Sequence, residues 1–206
     1  MEAFTSIDAI GVPIDIRNLD TNQLCPTRFN KLPVNDPSYD QILFNNQRFA
    51  NDGTEIVDFI LNQAPFNAAG VMVADDNFGC GSSRESAVYA LLAFGVRCVV
   101  APSFGDIFYS NSTKNGLLPV RLDAPLCDAM RAALHQRPGA RIQVDLETQT
   151  LTDTTGNAHA FEIHSTVRER LLAGLDDVGV TRQFADQIAA FESAHHAKLP
   201  WVFDGA

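Results

Sequence analysis

The chain has 206 residues, of which 46% are hydrophobic and 19% are charged. These are ordinary values for a globular protein and exclude global disorder. Its 15 Lys and Arg residues stand against 25 Asp and Glu residues, which gives a net charge of -10. Nucleic acids and anionic membranes bind basic surfaces, so this balance argues against both as partners.

Nothing in the sequence indicates a membrane span or export. The longest apolar run, residues 87–94, has eight residues, against the ~20 that a spanning helix needs. Residues 1–6 contain neither the basic region nor the apolar stretch of a signal peptide. We therefore expect a cytoplasmic protein.

The four cysteines, Cys25, Cys80, Cys98 and Cys127, contain no Cys-x-x-Cys pair. Such pairs are typical of self-contained zinc and iron–sulfur sites. We therefore predict that this chain binds no metal or cluster by itself. A disulfide is not expected in the cytoplasm.

The first quarter of the chain predicts one strand and a long irregular segment. Residues 5–15 read as a strand, and residues 18–31 are polar and rich in turn formers. Residues 30–55 are the most loop-like part of the chain, with one short helix near 39–44. Because this segment shows few apolar anchors, we expect it to be mobile without a partner, and loops of this length are usually functional.

The centre alternates apolar strands with helices. Strands are predicted at 69–74, 97–101 and 117–121, and helices at 84–94, 104–115 and 125–135, with Gly95 and Gly116 as helix ends. Short links between them are typical of an α/β fold with a mainly parallel central sheet flanked by helices.

The last quarter changes character. Alternating patterns at 141–145, 148–152 and 157–163 predict an antiparallel C-terminal appendage. A final amphipathic helix is predicted at 183–193, with Phe184, Ile188 and Phe191 on one face. We expect residues 195–206 to form a loosely held tail, and residues 1–206 to form a single domain.

The strongest functional signal is the turn Asn-Phe-Gly-Cys-Gly-Ser-Ser-Arg-Glu at 77–85, between a predicted strand and helix. Its two glycines permit positive φ, and the first amides of the helix have no partner within the helix. Ser82, Ser83 and Arg84 converge on the same point, where the helix dipole is positive. Together these groups form a receptor for a carboxylate or phosphate.

Simpler interpretations of this turn remain open. Ser82 with Glu85 three residues later matches a capping box, which would leave Arg84 as a solvated charge. The preceding Asp75 and Asp76 are expected to be a solvated loop edge. The turn does not match a P-loop or a nucleophile elbow, so a serine hydrolase is the weakest alternative.

The residues of this turn resemble a known family. Gly81-Ser82-Ser83-Arg84-Glu85 is similar to the signature of the swivel domain of the aconitase superfamily. Further segments resemble the small subunits of 3-isopropylmalate dehydratases: Leu-Asp-Thr at 19–21 with Pro26, Asn-Phe-Gly-Cys at 77–80, Val-Ala-Pro-Ser-Phe-Gly-Asp-Ile-Phe at 100–108, Lys-Asn-Gly-Leu-Leu-Pro-Val at 114–120 and Leu-Leu-Ala-Gly-Leu-Asp-Asp-Val-Gly at 171–179. The resemblance covers nearly the whole chain, in order.

The resemblance implies a swivelling β/β/α domain that caps a separate large subunit. That subunit holds a four-iron four-sulfur cluster through its own cysteines, and this chain is active only with it. The implied reaction dehydrates and rehydrates a hydroxy-dicarboxylate, converting 2-isopropylmalate to 3-isopropylmalate in leucine biosynthesis.

The resemblance also implies roles for individual residues. Ser82 acts as the base, in its alkoxide form, on the C–H proton. Ser83 supports substrate oxygens, Arg84 holds a carboxylate, and Gly81 belongs to the same substrate site. The loop at 26–31 lies where the family reads the variable side group of the substrate, and there Arg28 or Lys31 contacts a carboxylate or is a solvated loop charge.

One position departs from the family pattern. After Arg84 and Glu85 the family commonly has histidine, whereas this chain has Ser86. A related hydroxy acid, such as citramalate, dimethylmalate or homoaconitate, is therefore an alternative substrate. A non-catalytic anion-binding module with the same fold is an alternative from a different class.

Overall fold

A seven-stranded sheet runs through the computed structural model, which describes residues 1–34, 36–81 and 84–202. Its strands are β1 (Ser6–Ile14), β2 (Val71–Ala74), β3 (Cys98–Ala101), β4 (Leu118–Arg121), β5 (Arg141–Asp145), β6 (Thr150–Thr152) and β7 (Ala158–Ala160). The spatial order is β4-β3-β2-β1-β5-β6-β7, with β1 to β4 parallel and β5 to β7 antiparallel. The predicted fold class is confirmed, and the antiparallel strands continue the same sheet because β5 pairs with β1.

Helices flank the sheet in the predicted order. The α-helices of the described chain are α1 (Thr21–Leu24), α2 (Tyr39–Ile42), α3 (Asn45–Arg48), α4 (Ser86–Phe94), α5 (Asp106–Asn115), α6 (Ala124–Gln136), α7 (Ser165–Ala173), α8 (Asp177–Arg182) and α9 (Ala185–Lys198). Short 3-10 turns occupy Thr27–Phe29, Ile60–Asn62, Phe66–Ala68 and Pro200–Val202. Within the described ranges, none of these helices has the length and apolar character that crossing a membrane requires.

The central strands are apolar throughout because both faces of the sheet are covered. Met72 and Ala74 of β2 lie in a core shared with α1, α2, α4 and α5. Val71 and Val73 point to the other face, where α6 and α7 complete a second core. Alternate residues of one strand therefore belong to different cores, which explains a run without polar positions.

The segment at 30–55 is better anchored than its sequence predicts. Tyr39, Ile42, Leu43 and Phe44 are all buried in the first core. The backbone amide of Phe44 also donates to the carbonyl of Leu24, at 2.9 Å. The expectation of few apolar anchors is therefore wrong, and mobility stays an expectation only for the exposed residues 50–55.

The C-terminal segment is more helical than predicted. The final helix runs over Ala185–Lys198 rather than 183–193. The predicted tail begins inside this helix, because residues 195–198 form its last turn and Pro200–Val202 form a 3-10 turn. Residues 203–206 lie outside the described residues, and the loose attachment of the tail stays a prediction. Phe184, Ile188 and Phe191 are exposed instead of packed on the body.

The turn that follows β2 is held from two sides at the carboxyl edge of the parallel strands. On one side, the amide of Gly79 donates to the carbonyl of Leu19, at 2.8 Å, and the amide of Thr21 donates to the carbonyl of Cys80, at 3.1 Å. On the other, the amide of Phe78 donates to the carbonyl of Ser103, at 3.0 Å. The loops after β1 and β3 thus fix the course of the turn.

The conformation of this turn requires glycine at position 79. Gly79 has φ of 72°, a left-handed conformation that other residues adopt at a cost. A Cβ built there would lie 2.3 Å from Cγ of Phe108, far inside contact distance. The glycine at 105 is required for a similar reason, since its Cβ would lie 2.6 Å from the carbonyl oxygen of Gly79.

The two aspartates that precede the turn are paired with cations. Asp75 lies 3.7 Å from the buried guanidinium of Arg131 on α6, which also donates to Asp15 and to the carbonyl of Ala74. Asp76 accepts from the hydroxyl of Ser103, at 2.5 Å, and from Arg17. The expected solvated loop edge is therefore wrong, because both carboxylates fasten the ends of strands.

Replacing Gly79 with alanine tests the requirement for glycine. We expect a loss of roughly 2–4 kcal/mol in the free energy of unfolding, from the left-handed φ and from the clash with Phe108. Gly53→Ala is the matched control, because Gly53 also has positive φ, of 84°, but a Cβ added to it would meet no atom within 4 Å. Urea denaturation measures both changes, and equal losses for the two variants would contradict the clash.

Ser103→Ala tests the contact that supports the turn from the β3 side. The hydrogen bond from Ser103, followed by that from Arg17, lowers the pKa of Asp76 from its ordinary value of 3.8. A lowered folded-state pKa stabilises the fold above the ordinary value, and this contribution is lost as the pH falls through the folded-state pKa. We expect the variant to lose less stability than the wild type between pH 5 and pH 3, as measured by urea denaturation. Ser110→Ala, on an exposed position of α5, is the control, and parallel acid limbs for all three proteins would refute the role of Ser103.

Candidate active site

Helix α4 begins beside the turn at 77–81, and its amino end faces this turn. Its first helical hydrogen bond runs from the amide of Val88 to the carbonyl of Glu85, at 2.8 Å. The amides before Val88 therefore have no acceptor within the helix, and the helix dipole is positive at this end. The apolar character of the helix lets it pack deeply, with Ala87, Val88 and Leu91 buried, so this end is fixed relative to the sheet.

Glu85 lies at the start of α4 rather than inside its first turn. The structure places it at the N-cap of α4 with helical dihedrals and no side-chain capping bond. Its carboxylate instead accepts from the hydroxyl of Tyr89, at 2.5 Å. Burial, followed by this hydrogen bond, raises the pKa of Tyr89. The helix starts two residues later than predicted, and Ser82, the other residue of the predicted capping box, lies outside the described residues.

The structure describes the family signature at 81–85 except for its two serines, at positions 82 and 83. Gly81 is exposed and has φ of 91°. Arg84 is exposed two residues before the first turn of α4. The proposed base, Ser82, and its neighbour Ser83 lie outside the described residues, so their roles stay predictions.

Cys25 is a buried thiol close to the start of α4 that the sequence did not single out. It is buried at the end of α1. Burial raises the pKa of its thiol, while a hydrogen bond with Ser86 and the charges of Arg28 and Arg84 act in the opposite direction. The two guanidinium groups that the sequence analysis proposed for carboxylate binding therefore act on the same buried sulfur.

Ser86 joins the signature helix to the loop at 26–31. Its side chain is buried, and its hydroxyl donates to Oδ1 of Asn30, at 2.9 Å. Nδ2 of Asn30 is also buried and has no hydrogen-bond partner among the described residues. Sequence reasoning noted Ser86 only as a departure from the family, and Asn30 was missed because nothing local distinguishes it from other turn asparagines.

The two cationic residues of that loop differ in their surroundings. The guanidinium of Arg28 donates to Oδ1 of Asn45, at 2.5 Å, and to Oδ1 of Asn46, at 2.7 Å, and lies 4.6 Å from the ring centre of Phe29. It therefore bridges the loop to α3. Lys31 is exposed. Arg28 is thus held by two asparagine side chains, and the proposed contact of Arg28 or Lys31 with a substrate carboxylate stays a prediction.

Asp20 and Thr21 shape the opposite wall of the turn. Oδ1 of Asp20 accepts from the amides of Asn22 and Gln23, and Oε1 of Gln23 accepts from the amide of Asp20, which completes a capping box on α1. Thr21 is buried, and its hydroxyl has no hydrogen-bond partner within the described ranges. The carboxylate of Asp20 therefore caps α1, whereas the hydroxyl of Thr21, next to Cys80, makes no hydrogen bond to the described residues.

The described residues do not form a metal or cluster site. No group of three or more His, Cys, Asp or Glu side chains within them is arranged to hold a metal ion. Three of the four cysteines are buried and distributed over different elements. The donor set of this part of the chain therefore does not fit an iron–sulfur cluster.

Comparisons with known proteins match nearly the whole length of the chain. The model of the aconitase C-terminal domain matches residues 1–125, and the LeuD_N model matches residues 128–165. The model of the C-terminal domain of the 3-isopropylmalate dehydratase small subunit matches residues 177–205. A protein of Methanocaldococcus jannaschii, whose crystal structure is titled 3-isopropylmalate dehydratase, has the same fold, with a TM-score of 0.63 at 23% identity over 91% of this chain and 99% of that one.

Two curated relatives are similar over nearly their whole length. One, from Gluconacetobacter diazotrophicus, is 45% identical over 98% of this chain and 97% of its own. The other, from Roseobacter denitrificans, is 42% identical over 98% of this chain and 100% of its own. Both are named 3-isopropylmalate dehydratase small subunit. With this identity, this coverage and these family models, the chain belongs to the family of 3-isopropylmalate dehydratase small subunits.

Proposed function

We propose that this chain is the small subunit of a heteromeric hydro-lyase that converts 2-isopropylmalate to 3-isopropylmalate in leucine biosynthesis. The observation that carries this proposal is the similarity, over nearly the full length of the chain, to relatives that are 45% and 42% identical and are named as that subunit. The reaction removes a hydroxyl and a proton from adjacent carbons and returns water with the two positions exchanged. Each direction therefore needs a base, a carboxylate receptor and an acid for the leaving hydroxyl.

The base assigned to this chain is Ser82. A serine hydroxyl is a weak base unless its anion is stabilised, and the two sources of stabilisation here are the amides at the start of α4 and the guanidinium of Arg84. Among the described residues, the first hydrogen bond of α4 comes from the amide of Val88, and the earlier amides are assigned to this purpose. Ser82 then takes the C–H proton and returns it to the neighbouring carbon.

The remaining site residues hold the substrate. Arg84 is exposed and can bind both oxygens of a carboxylate, which fixes the acid in one plane. Ser83 donates to substrate oxygens, and the left-handed Gly81 lets the backbone approach closely. Arg28 and Lys31 approach the variable side group or a second carboxylate from the loop at 26–31.

The acid for the leaving hydroxyl belongs to the partner. A four-iron four-sulfur cluster held by the large subunit would supply the Lewis acid for this step. The small subunit is therefore active only in the complex, which we place in the cytoplasm.

A related hydroxy acid is the second candidate substrate, favoured by the polar contact between Ser86 and Asn30. This contact lies beside the loop assigned to the substrate side group, where an isopropyl group needs apolar surroundings. An anaerobic assay of the reconstituted complex on 2-isopropylmalate, citramalate, dimethylmalate and homoaconitate decides between them. Preference for one of the last three would remove the isopropylmalate assignment.

Ser82→Ala tests whether the signature is catalytic. We expect kcat of the reconstituted complex to fall by about 10²–10⁴, the range for loss of a general base, with little change in KM. Arg84→Lys keeps the charge but loses two-oxygen binding, so we expect KM to rise about tenfold. The thermal midpoints of both variants serve as the folding control.

Full activity of the Ser82→Ala complex would refute the base assignment. It would favour the anion-binding module, in which the same turn binds an acid without chemistry. Under that alternative, Arg84→Lys still weakens binding of the acid, so the two variants together separate a catalytic turn from a binding turn.

A further inference from the structure

The last helical segment of the described chain, residues 176–202, stands away from the body and is here named the C-terminal arm. Residues 181–190 are all exposed. Asp177, at its base, pairs with Arg170, at 2.7 Å, and with Lys114, at 3.6 Å. These ion pairs join the first turn of the arm to α5 and α7, while α9 itself has no residue in either core.

The arm carries an apolar groove between α8 and α9. Its volume is about 480 Å³, and it is lined by Val178, Thr181, Ala185, Ile188 and Ala189 together with the charged Asp177, Arg182 and Glu192. Val178 remains 64% exposed, and Phe191, farther along α9, remains 66% exposed. Soluble proteins rarely leave such a face uncovered unless it binds a partner.

The helix also lacks the packing that normally stabilises it. A helix of about 14 residues is marginal in water without tertiary contacts on its apolar face. Large apolar side chains cover up to 150–250 Å² each, so Val178, Phe184, Ile188 and Phe191 leave roughly 400 Å² open, and the exposed Trp201 and Val202 bring this to roughly 650 Å². This approaches the ~800 Å² that each partner contributes to a standard interface.

Charge argues against a second copy of the chain as the occupant. The arm has four acidic residues against two cationic ones, Arg182 and Lys198, and the whole chain has a net charge of -10. Two such arms would meet with like charges around an apolar contact, which opposes association. The complementary surface is therefore an apolar ridge flanked by neutral or basic groups.

The arm coincides with the part of the chain that is specific to the small-subunit family. The model of the aconitase C-terminal domain ends at residue 125, whereas the C-terminal model of the small-subunit family matches residues 177–205. We propose that the C-terminal arm is a docking element for the large subunit, whose apolar ridge fills the groove between α8 and α9. The identity of this occupant rests on the proposed function; the docking surface itself rests on the groove.

A matched pair of substitutions tests the proposal. Ala189 lines the groove, while the next residue, Ala190, is turned about 100° around the helix. Ala189→Asp and Ala190→Asp add the same charge at the same cost in helix propensity. We expect Ala189→Asp and Ile188→Asp to weaken binding of the purified large subunit at least tenfold by isothermal titration calorimetry, and Ala190→Asp to change it less than twofold.

Several outcomes overturn the proposal. Equal affinities for Ala189→Asp and Ala190→Asp would exclude the groove as the docking surface. A stable dimer of the wild-type chain that Ala189→Asp dissociates, with unchanged affinity for the large subunit, would assign the groove to a second copy. A wild-type complex that assembles through the groove but does not act on any of the four hydroxy acids would refute the proposed function and leave the docking surface in place.

Discussion

The turn at 77–81 keeps its shape because the loops on both sides of it hydrogen-bond to its backbone. Leu19 and Thr21 hold it from the β1 side, and Ser103 holds it from the β3 side. Such backbone bonds are compatible with any side chain, so the sequence requirement of the turn lies at Gly79, where a methyl group would clash with Phe108. The course of the backbone through this turn determines where α4 begins and therefore where Arg84 lies.

The alternation of strands and helices was readable from the sequence because it depends on local pattern. Apolar runs bounded by glycines identify strands covered on both faces, and Gly95 and Gly116 end their helices with positive φ as predicted. The glycine-rich turn was also readable, because closely spaced glycines after an apolar strand indicate a sharp change in chain direction.

The errors concern contacts between distant parts of the chain. The burial of Tyr39 and Phe44 depends on α4, about 45 residues later, and a local pattern interrupted by prolines does not reveal it. The pairing of Asp75 with Arg131 and the contact of Ser86 with Asn30 each span more than 50 residues. For α9 the error is the reverse, because side chains predicted to be packed are exposed. An amphipathic period predicts that one face is packed, but it does not identify the molecule against which the face packs.

The turn at 77–81 and the C-terminal arm lie in different parts of the molecule. The turn at 77–81, next to the proposed substrate groups, lies at the carboxyl edge of the parallel strands, the usual position for ligands in open α/β sheets. The C-terminal arm leaves from α7, which belongs to the second core on the other face of the sheet. A partner bound to the arm could therefore approach the turn at 77–81 without changing the conformation of that turn.

The thiols of this chain have a practical consequence. Desolvation raises the pKa of Cys25, Cys80, Cys98 and Cys127 alike, most strongly for the fully buried sulfurs. Alkylating reagents react with accessible thiolates, so the buried Cys25, Cys98 and Cys127 are expected to react slowly in the folded chain. Because Cys25 is enclosed between the loop that it begins and the first turn of α4, the rate at which iodoacetamide labels this sulfur reports how often the two separate.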